Sequence, residues 1–423
     1  MILKKNLFAN YVGATLIIIT PIVTLPWYLK LLGSEQFGLL SLANFLQTLL
    51  GLIDAGISQA LIREFSIRFE KTPYGFKRCA NLLSGFERIY WIITITMTFL
   101  ILISSQYLIK NWLNNDYISQ ENNLDIALYG AIGLFVVQFP GCVYRGFLIG
   151  SENHILFNKI LSSSIFFRSF FGLILLNIWP SLTTFFIWNF FVSFIEILLK
   201  MKFSWKILYP EMLLQKRDYL PELRKVQSNV TKLSLSVFLG ALITNIDKII
   251  LSHIVPIKEF GYYVIATTIA TGLLQTIYPL IQTLLPIASK LVNERQKLKK
   301  LYIKTSATIF LIFSSISIFI LYYGEFFIQL WLKIHEAVYL VNYFLQFLLI
   351  GSFINALYNI GYVNWLAQNK ISNILYVNIV GLITSLIFTP IFIHWYGTVG
   401  AAISWIAVST IGFFMSIGWL WKT

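Results

Sequence analysis

Long apolar stretches separated by short polar segments are the dominant pattern along this chain. Twelve of them are long enough to cross a bilayer as helices, which takes about 20 mostly apolar residues. They lie at 8–29, 38–62, 89–109, 126–144, 156–178, 181–199, 233–254, 262–285, 305–324, 337–363, 372–393 and 398–420. The first is too long for a signal peptide, and we expect it to be retained. The pattern predicts an all-α integral membrane protein with about twelve transmembrane helices.

Composition supports this prediction, and the distribution of charge adds an orientation. Charged residues make up 12% of the chain, about half of the 25% that is typical of soluble domains. Of the 32 basic residues, 26 lie in or next to the loops on the side of the N-terminus. The positive-inside rule places that side in the cytoplasm, and an even number of spans places both termini there. Membrane topology therefore explains the net charge of +14, and we expect no binding of nucleic acid.

Sequence motifs of catalysis and of cofactor binding are absent. The two cysteines, Cys79 and Cys142, lie far apart and have no metal-ligand spacing. The glycines within 51–56 have the spacing of a phosphate-binding loop, but no lysine follows them. The loops are too short to contain a soluble catalytic domain. We therefore expect neither an enzyme nor a protein with a cofactor or a metal site.

A short internal repeat divides the spans into two sets of six. The segment QFGLLSLA at 36–43 opens the second span, and EFGYYVIA at 259–266 opens the eighth. Each half has an even number of spans, so the two copies share one orientation. Leucines and basic residues between the halves have the spacing of an amphipathic helix on the cytoplasmic leaflet, with a solvated loop as the alternative. The sequence predicts an N-terminal lobe over 1–209, a linker helix over 210–228 and a C-terminal lobe over 229–423.

Polar residues recur at helical spacing within several spans. Those that we single out are Asn44, Gln47 and Asp54 in the second span and Gln275, Tyr278 and Gln282 in the eighth. Polar side chains inside a membrane are costly, and they usually face a bundle interior or a water-filled cavity. Small and hydroxyl residues at the same spacing also allow close helix packing. We expect a shared polar cavity, with helix packing as the alternative.

Three basic residues in the spans or at their ends are candidates for an anion site. Arg168 is central in the fifth span, Arg145 ends the fourth, and Lys248 lies in the seventh beside Asp247. We expect Arg168, Arg145 and Lys248 to line a cavity for an anionic headgroup, because guanidinium groups donate paired hydrogen bonds to phosphate. The alternative is an ion pair between Arg168 and an acidic span residue such as Asp54, which would only hold helices together.

Three short segments near the N-terminus form a family pattern: LGSEQFG at 32–38, IDAG at 53–56 and the pair Arg63 and Glu64. With twelve spans in two halves and a linking helix, they resemble the O-antigen and polysaccharide flippases of the multidrug/oligosaccharidyl-lipid/polysaccharide exporter superfamily. The resemblance implies two six-helix lobes around a central cavity. It also implies that an undecaprenyl-pyrophosphate-linked oligosaccharide is moved from the cytoplasmic to the periplasmic leaflet by alternating access.

The same resemblance implies partners and a place in the cell. We expect a bacterial inner membrane protein of lipopolysaccharide biosynthesis that contacts the lipid-linked oligosaccharide and bilayer lipids, beside a polysaccharide polymerase and a chain-length regulator. A coupling ion, H⁺ or Na⁺, would act on Asp54 or Asp247. Two other functions stay open. A multidrug/cation antiporter of the same superfamily would use acidic span residues such as Asp54, Glu196 and Asp247, and a polymerase or glycosyltransferase would need a larger outer loop.

Overall fold

The protein is built from helices and short connections. The computed structural model describes residues 2–70, 72–107, 121–208, 221, 223, 235, 238–332, 334–368 and 370–419; the side chains of 2–18 and of some other helical positions are outside this description. The described part contains no β-strand. The predicted all-α fold is therefore confirmed. The chain divides into two compact units, Met1–Ala241 and Leu242–Thr423.

The first unit contains seven helices among its described residues. They are α1 (Ile2–Arg68), α2 (Pro73–Tyr107), α3 (Glu121–Gln138), α4 (Gly141–Gly150), α5 (His154–Phe166), α6 (Gly172–Ile178) and α7 (Leu182–Leu208). A π-helix, Phe167–Phe171, joins α5 to α6. Helix α1 packs against α3, α4 and α5, and α3 packs against α7.

The described residues of the second unit include six further helices. They are α8 (Ile246–Ile254), α9 (Ile257–Lys290), α10 (Arg295–Leu332), α11 (His335–Ala367), α12 (Ile371–Tyr396) and α13 (Val399–Ser416). Helix α11 is central and packs against α9, α10 and α13. A Cβ atom added to Gly351 of α11 would lie 2.4 Å from the Trp405 ring of α13. Glycine at this position therefore permits the close approach of the two helices.

Where the structure describes them, the predicted spans consist largely of helical residues. Among the described residues, eight segments are long and apolar enough to cross a membrane: Pro73–Ser105, Leu124–Gly150, His154–Ile178, Leu182–Leu208, Arg295–Leu332, His335–Ala367, Ser372–Tyr396 and Val399–Ser416. The other predicted spans fall in α1, which covers two of them, in the helical residues before and within α8, and in α9. The prediction of about twelve membrane helices is therefore confirmed.

Two breaks in the helices have a clear cause in the sequence. A straight helix of the length of α1 would extend about 100 Å, but Gly33 interrupts it with φ 78° and ψ 168°. Residues other than glycine rarely adopt a positive φ, and the break lies between the first two predicted spans. Pro140 separates α3 from α4 within a single span. Proline has no backbone N–H and clashes with the preceding turn, so it interrupts the helix there.

Large apolar side chains cover both the interior and much of the outer surface. In the first unit, Phe65 packs edge to face against Phe147, with 5.3 Å between ring centroids. On α2, by contrast, Ile92, Ile95 and Phe99 are exposed. A helix that is apolar on its outer face as well as its inner one is typical of a membrane span.

The two copies of the internal repeat have matching burial. Phe37 and Phe260 are both buried, as are Ala43 and Ala266. The predicted linker lies mostly outside the described residues. Of it only Pro221 and Leu223 are described, and Leu223 packs against the core of the first unit. The division into lobes with a separate linker helix stays a prediction.

Candidate functional site

A cavity of about 500 Å³ lies inside the first unit, enclosed by α3, α4, α5, the π-helix and α7. This volume is typical of small-molecule sites, which measure about 300–1,000 Å³. Its charged lining residues are Arg145, Arg168, Glu196 and Lys200, with His154 also in the lining. The structure thus brings together two of the three basic residues singled out in the sequence. Three basic side chains against one acidic side chain give this cavity a net positive charge.

One face of α7 organises the polar side of this cavity. Ser193, Glu196 and Lys200 are three and four residues apart, so they lie on one helical face. Glu196 accepts a hydrogen bond on each carboxylate oxygen, from Lys200 Nζ at 2.5 Å and from Arg168 Nη2 at 3.0 Å. Arg168 also donates to Ser193 Oγ at 3.0 Å. Arg168 therefore forms an ion pair, but its partner is Glu196 and not Asp54.

The π-helix sets the position of Arg168. A π-helical turn adds a residue to the α-helical repeat and is frequently found at functional sites. In this turn the indole N–H of Trp188 donates to the Phe167 carbonyl oxygen at 3.1 Å. Arg168 Nε is buried and has no hydrogen-bond partner among the described residues. This Nε–H donor is therefore not used by the residues that the structure describes.

Arg145 differs from Arg168 in having no acidic partner. It lies on α4, lines the same cavity and is exposed. Within the part of the chain that the structure describes, it forms no ion pair. An unpaired guanidinium can donate two parallel hydrogen bonds to a phosphate. Arg145 is therefore the group in this cavity best placed to receive an anion.

Lys200 is the residue of this cavity that the sequence analysis missed. It was assigned to the loop after the sixth span, but its side chain is buried in the cavity wall. Its Nζ atom lies 5.5 Å from the centroid of the Phe157 ring, within the range of a cation–π interaction. The spacing of four residues between Glu196 and Lys200 is the signal that indicates their contact.

The third basic candidate, Lys248, lies in the second unit. With Asp247 and Gln275 it lines a cavity of about 230 Å³, whose lining also includes Thr244, Thr267 and Thr271. Lys248 Nζ is 3.6 Å from Asp247 Oδ1, and Asp247 Oδ2 accepts a hydrogen bond from Tyr263 at 2.7 Å. The cation and the acid therefore lie within ion-pair distance, although Asp247 Oδ1 has no hydrogen-bond partner among the described residues.

The aspartate of the second span, Asp54, is buried among hydroxyl donors. Its carboxylate accepts hydrogen bonds from Ser58 Oγ at 2.9 Å and from the Tyr90 hydroxyl. It is not among the residues that line the cavity of the first unit. The hydrogen bond between Asp54 and Tyr90 therefore holds α1 to α2. For Asp54, this agrees with the alternative in which the polar residues of the spans serve helix packing.

The remaining residues of the two stripes are distributed differently. Asn44 is exposed, whereas Gln47 is half-buried and its Nε2 atom has no hydrogen-bond partner among the described residues. Tyr278 and Gln282 belong to α9, but their side chains lie outside the described part of the structure. Their predicted place in a cavity stays a prediction. Among the residues that are described, no group of three His, Cys, Asp or Glu side chains is placed to hold a metal ion.

The helices have exposed apolar faces, and one unit contains a charged cavity. These features define a multi-pass membrane protein. Its fold is that of the MOP superfamily transporters. The lipid II flippase MurJ in an inward closed conformation is similar to this chain, with 13% identity over 98% of this chain and 86% of that chain and a TM-score of 0.71. A multidrug resistance MATE family transporter in an inward-facing conformation has 14% identity over 95% and 93%, with a TM-score of 0.68. A MOP superfamily transporter from Pyrococcus furiosus, described as having a binding pocket of reverse polarity, has 15% identity over 98% and 92%, with a TM-score of 0.61.

The amino-acid sequence shows to which family the chain belongs. The family of polysaccharide biosynthesis proteins matches residues 3–292, which is more than half of the chain. The chain therefore belongs to that family, and the resemblance inferred from its N-terminal segments is confirmed. No curated protein matches the chain at a significant level.

Proposed function

We propose that the protein is a flippase that moves an undecaprenyl-pyrophosphate-linked oligosaccharide, an O-antigen unit or a similar repeat, from the cytoplasmic to the periplasmic leaflet of a bacterial inner membrane. The observation that carries this proposal is the positively charged cavity among the membrane helices of a polysaccharide biosynthesis protein. A pyrophosphate is the charged part of such a substrate. Guanidinium groups donate paired, charge-assisted hydrogen bonds to phosphate oxygens.

Arg145 and Arg168 would share the recognition of the pyrophosphate. Arg145 offers its whole guanidinium, whereas Arg168 offers Nε because Nη2 is bonded to Glu196 and Ser193. The cavity volume of about 500 Å³ suits a charged headgroup better than a whole lipid-linked glycan. The polyprenyl tail would therefore stay in the surrounding lipid while the headgroup passes by alternating access.

The availability of charge favours a flippase over a multidrug/cation antiporter. A site for cationic drugs needs an acidic side chain that is free to pair with them. In the first unit Glu196 is already paired with both Arg168 and Lys200, and in the second unit Asp247 lies beside Lys248. Asp54 is enclosed by hydroxyl groups instead of lining the first cavity. This geometry supports an anionic substrate.

Coupling to an ion would use the aspartates of the spans. Asp54 accepts hydrogen bonds from Ser58 and Tyr90, and Asp247 accepts one from Tyr263. We keep H⁺ and Na⁺ as the coupling ions to be tested, with Asp54 and Asp247 as the candidate acceptors.

The experiment that tests the proposal is flipping in proteoliposomes. Purified protein is reconstituted with a fluorescent undecaprenyl-pyrophosphate-linked oligosaccharide, and the fraction that reaches the opposite leaflet is measured with a membrane-impermeant quencher. The native protein is compared with Arg145→Ala and Arg168→Ala. Arg63→Ala is the matched control, because Arg63 is an exposed arginine that does not line the cavity.

The expected result is flipping by the native protein and the control, with clear losses for both cavity variants. Survival of full flipping in Arg145→Ala and Arg168→Ala would contradict the role of the cavity while leaving the flippase function in place. Transport of a cationic dye such as ethidium, together with no flipping of the lipid, would overturn the proposed function in favour of the antiporter.

A further inference from the structure

A third and larger cavity, of about 780 Å³, lies in the second unit at one end of its helices. It is enclosed where α9 ends and α10 begins, where α11 ends and α12 begins, and by the end of α13. The two connections involved are the segments around 292–294 and 368–370, which the charge distribution predicts on the cytoplasmic side. None of its lining residues belongs to either of the cavities described above.

The lining of this cavity is basic and rich in amides. Arg295, Lys299 and Lys370 supply three positive charges, and no acidic side chain lines it among the described residues. The nearby Glu294 is paired with Lys297 Nζ at 2.5 Å, and neither of these two residues is part of the lining. The positive charge inside the cavity is therefore not neutralised by a lining group.

Helix geometry adds to this positive character. Helices α10 and α12 begin at Arg295 and Ile371, so both N-termini border the cavity. A helix N-terminus presents unpaired N–H groups and a partial positive charge, which favours a bound anion.

Buried polar and aromatic side chains form the floor of the cavity. Tyr302, Asn364 and Trp365 are 1%, 6% and 8% exposed, whereas Arg295 and Lys370 are exposed at its rim. Further amide side chains, Asn293, Gln368 and Asn373 among them, complete the lining. Amides can hydrogen-bond hydroxyl groups, and cations can hold phosphate oxygens. The site thus combines donors for a phosphate with partners for the hydroxyl groups beside it.

We propose that this cavity binds a phosphate ester that carries hydroxyl groups, separately from the transport substrate. Two sources have this chemistry: the headgroup of an anionic phospholipid such as phosphatidylglycerol, and a soluble sugar phosphate. The ligand would bind the folded protein at the basic end of the second unit and would stabilise it by mass action.

The experiment measures binding of both sources to the full-length protein. Short-chain phosphatidylglycerol and, separately, glucose 1-phosphate are titrated into detergent-solubilised protein, and the dissociation constant and the thermal unfolding temperature are recorded. The variant Arg295→Gln/Lys299→Gln/Lys370→Gln removes the cations of the cavity. The matched control Lys206→Gln/Lys300→Gln/Lys304→Gln removes three exposed charges that do not line it.

We expect each cation removed from the cavity to weaken binding about fivefold. The affinity of the triple variant should therefore fall about a hundredfold, while the affinity of the control stays close to that of the native protein.

Phosphatidylglycerol binding without glucose 1-phosphate binding identifies the lipid as the source, and the reverse identifies the soluble ester. Equal losses in both triple variants, or native binding in the cavity variant, would overturn the proposal, as would no binding of either probe to the native protein. If the triple variant does not fold, the single Lys370→Gln exchange at the rim tests the same point, with about a fivefold loss expected.

Discussion

The cavity of the first unit and the cavity around Lys248 in the second unit both place charge inside a bundle of apolar helices, but they balance it differently. In the first unit Glu196 faces Arg168 and Lys200, while Arg145 is unpaired among the described residues. In the second unit a single cation, Lys248, lies 3.6 Å from a single acid, Asp247. The first cavity therefore has cationic charge left for a ligand, and the second does not.

This difference shows that a charge inside a span is informative only together with its partners. Breaking a buried pair leaves an uncompensated charge, so paired charges hold a bundle together. An unpaired guanidinium remains available to bind an anion. By this criterion we propose Arg145 as a binding group, whereas Arg168 is engaged by Glu196 and Lys248 lies within ion-pair distance of Asp247.

Exchanging the unpaired cation for alanine should have the largest effect on transport. We expect Arg145→Ala to slow flipping by about ten- to a hundredfold, because a hydrogen bond to a charged group contributes about 1.5–3 kcal/mol. Lys248→Ala should slow it by less than about threefold. Both rates come from the proteoliposome assay, with Arg145→Lys included to separate charge from guanidinium geometry. A larger loss for Lys248→Ala than for Arg145→Ala would reverse the comparison.

Removing the acid of each cavity tests the structural half of the comparison. Glu196→Gln leaves Arg168 and Lys200 without their carboxylate, and we expect the free energy of unfolding to fall by about 2 kcal/mol. Breaking a fully buried ion pair lowers the free energy of unfolding by about 3–5 kcal/mol. We expect a smaller loss here because the Arg168 side chain is 29% exposed. Asp247→Asn removes one carboxylate from one cation and should cost about 1 kcal/mol. Denaturant unfolding in detergent micelles measures both, and equal losses would show that the two acids act alike.

The two units should respond alike where their chemistry is alike. Each has a buried tyrosine that donates to an aspartate of a span, Tyr90 to Asp54 and Tyr263 to Asp247. We expect Tyr90→Phe and Tyr263→Phe each to lower the free energy of unfolding by about 1 kcal/mol, the usual net contribution of a hydrogen bond. The same unfolding measurement applies. A several-fold difference between these two variants would mean that one of the hydrogen bonds is not formed.

The smallest effect is expected for an ion pair on the surface of the second unit. Lys258 Nζ lies 2.5 Å from Glu336, with both side chains exposed, so Glu336→Gln should cost less than about 1 kcal/mol. The hydrogen bond to Glu336 raises the pKa of Lys258 above its ordinary value of 10.5. A raised pKa stabilises the folded state below the unfolded value, and this contribution is lost as the pH rises through the folded value. The loss in free energy of unfolding caused by Glu336→Gln should therefore stay constant from about pH 7 to 9 and vanish only in stronger alkali. A decrease of this loss between about pH 7 and 9 would contradict the ion pair between Lys258 and Glu336.

Particular residues show how far the sequence predicts the site. The isolated arginine of the fifth span, Arg168, was found because arginine is costly in a bilayer, and Arg145 was found at the end of a span. An ion pair between Arg168 and an acidic span residue such as Asp54 was the alternative to anion binding, and the structure gives Glu196 as the acidic residue in contact with Arg168. Helix periodicity predicts which residues share one face of a helix, but not which faces of two helices meet. The π-turn at Phe167–Phe171 has no pattern in the sequence that we can name.

The sequence by itself determined that the chain crosses a membrane about twelve times, because the bilayer demands long apolar helices and composition alone reveals them. It also determined where α1 breaks, since only glycine readily accepts the dihedral angles of Gly33. Only the tertiary structure decided which charges pair and which stay free. Pairing depends on distances of a few ångströms between side chains far apart in sequence, and the packing of the helices against one another sets those distances.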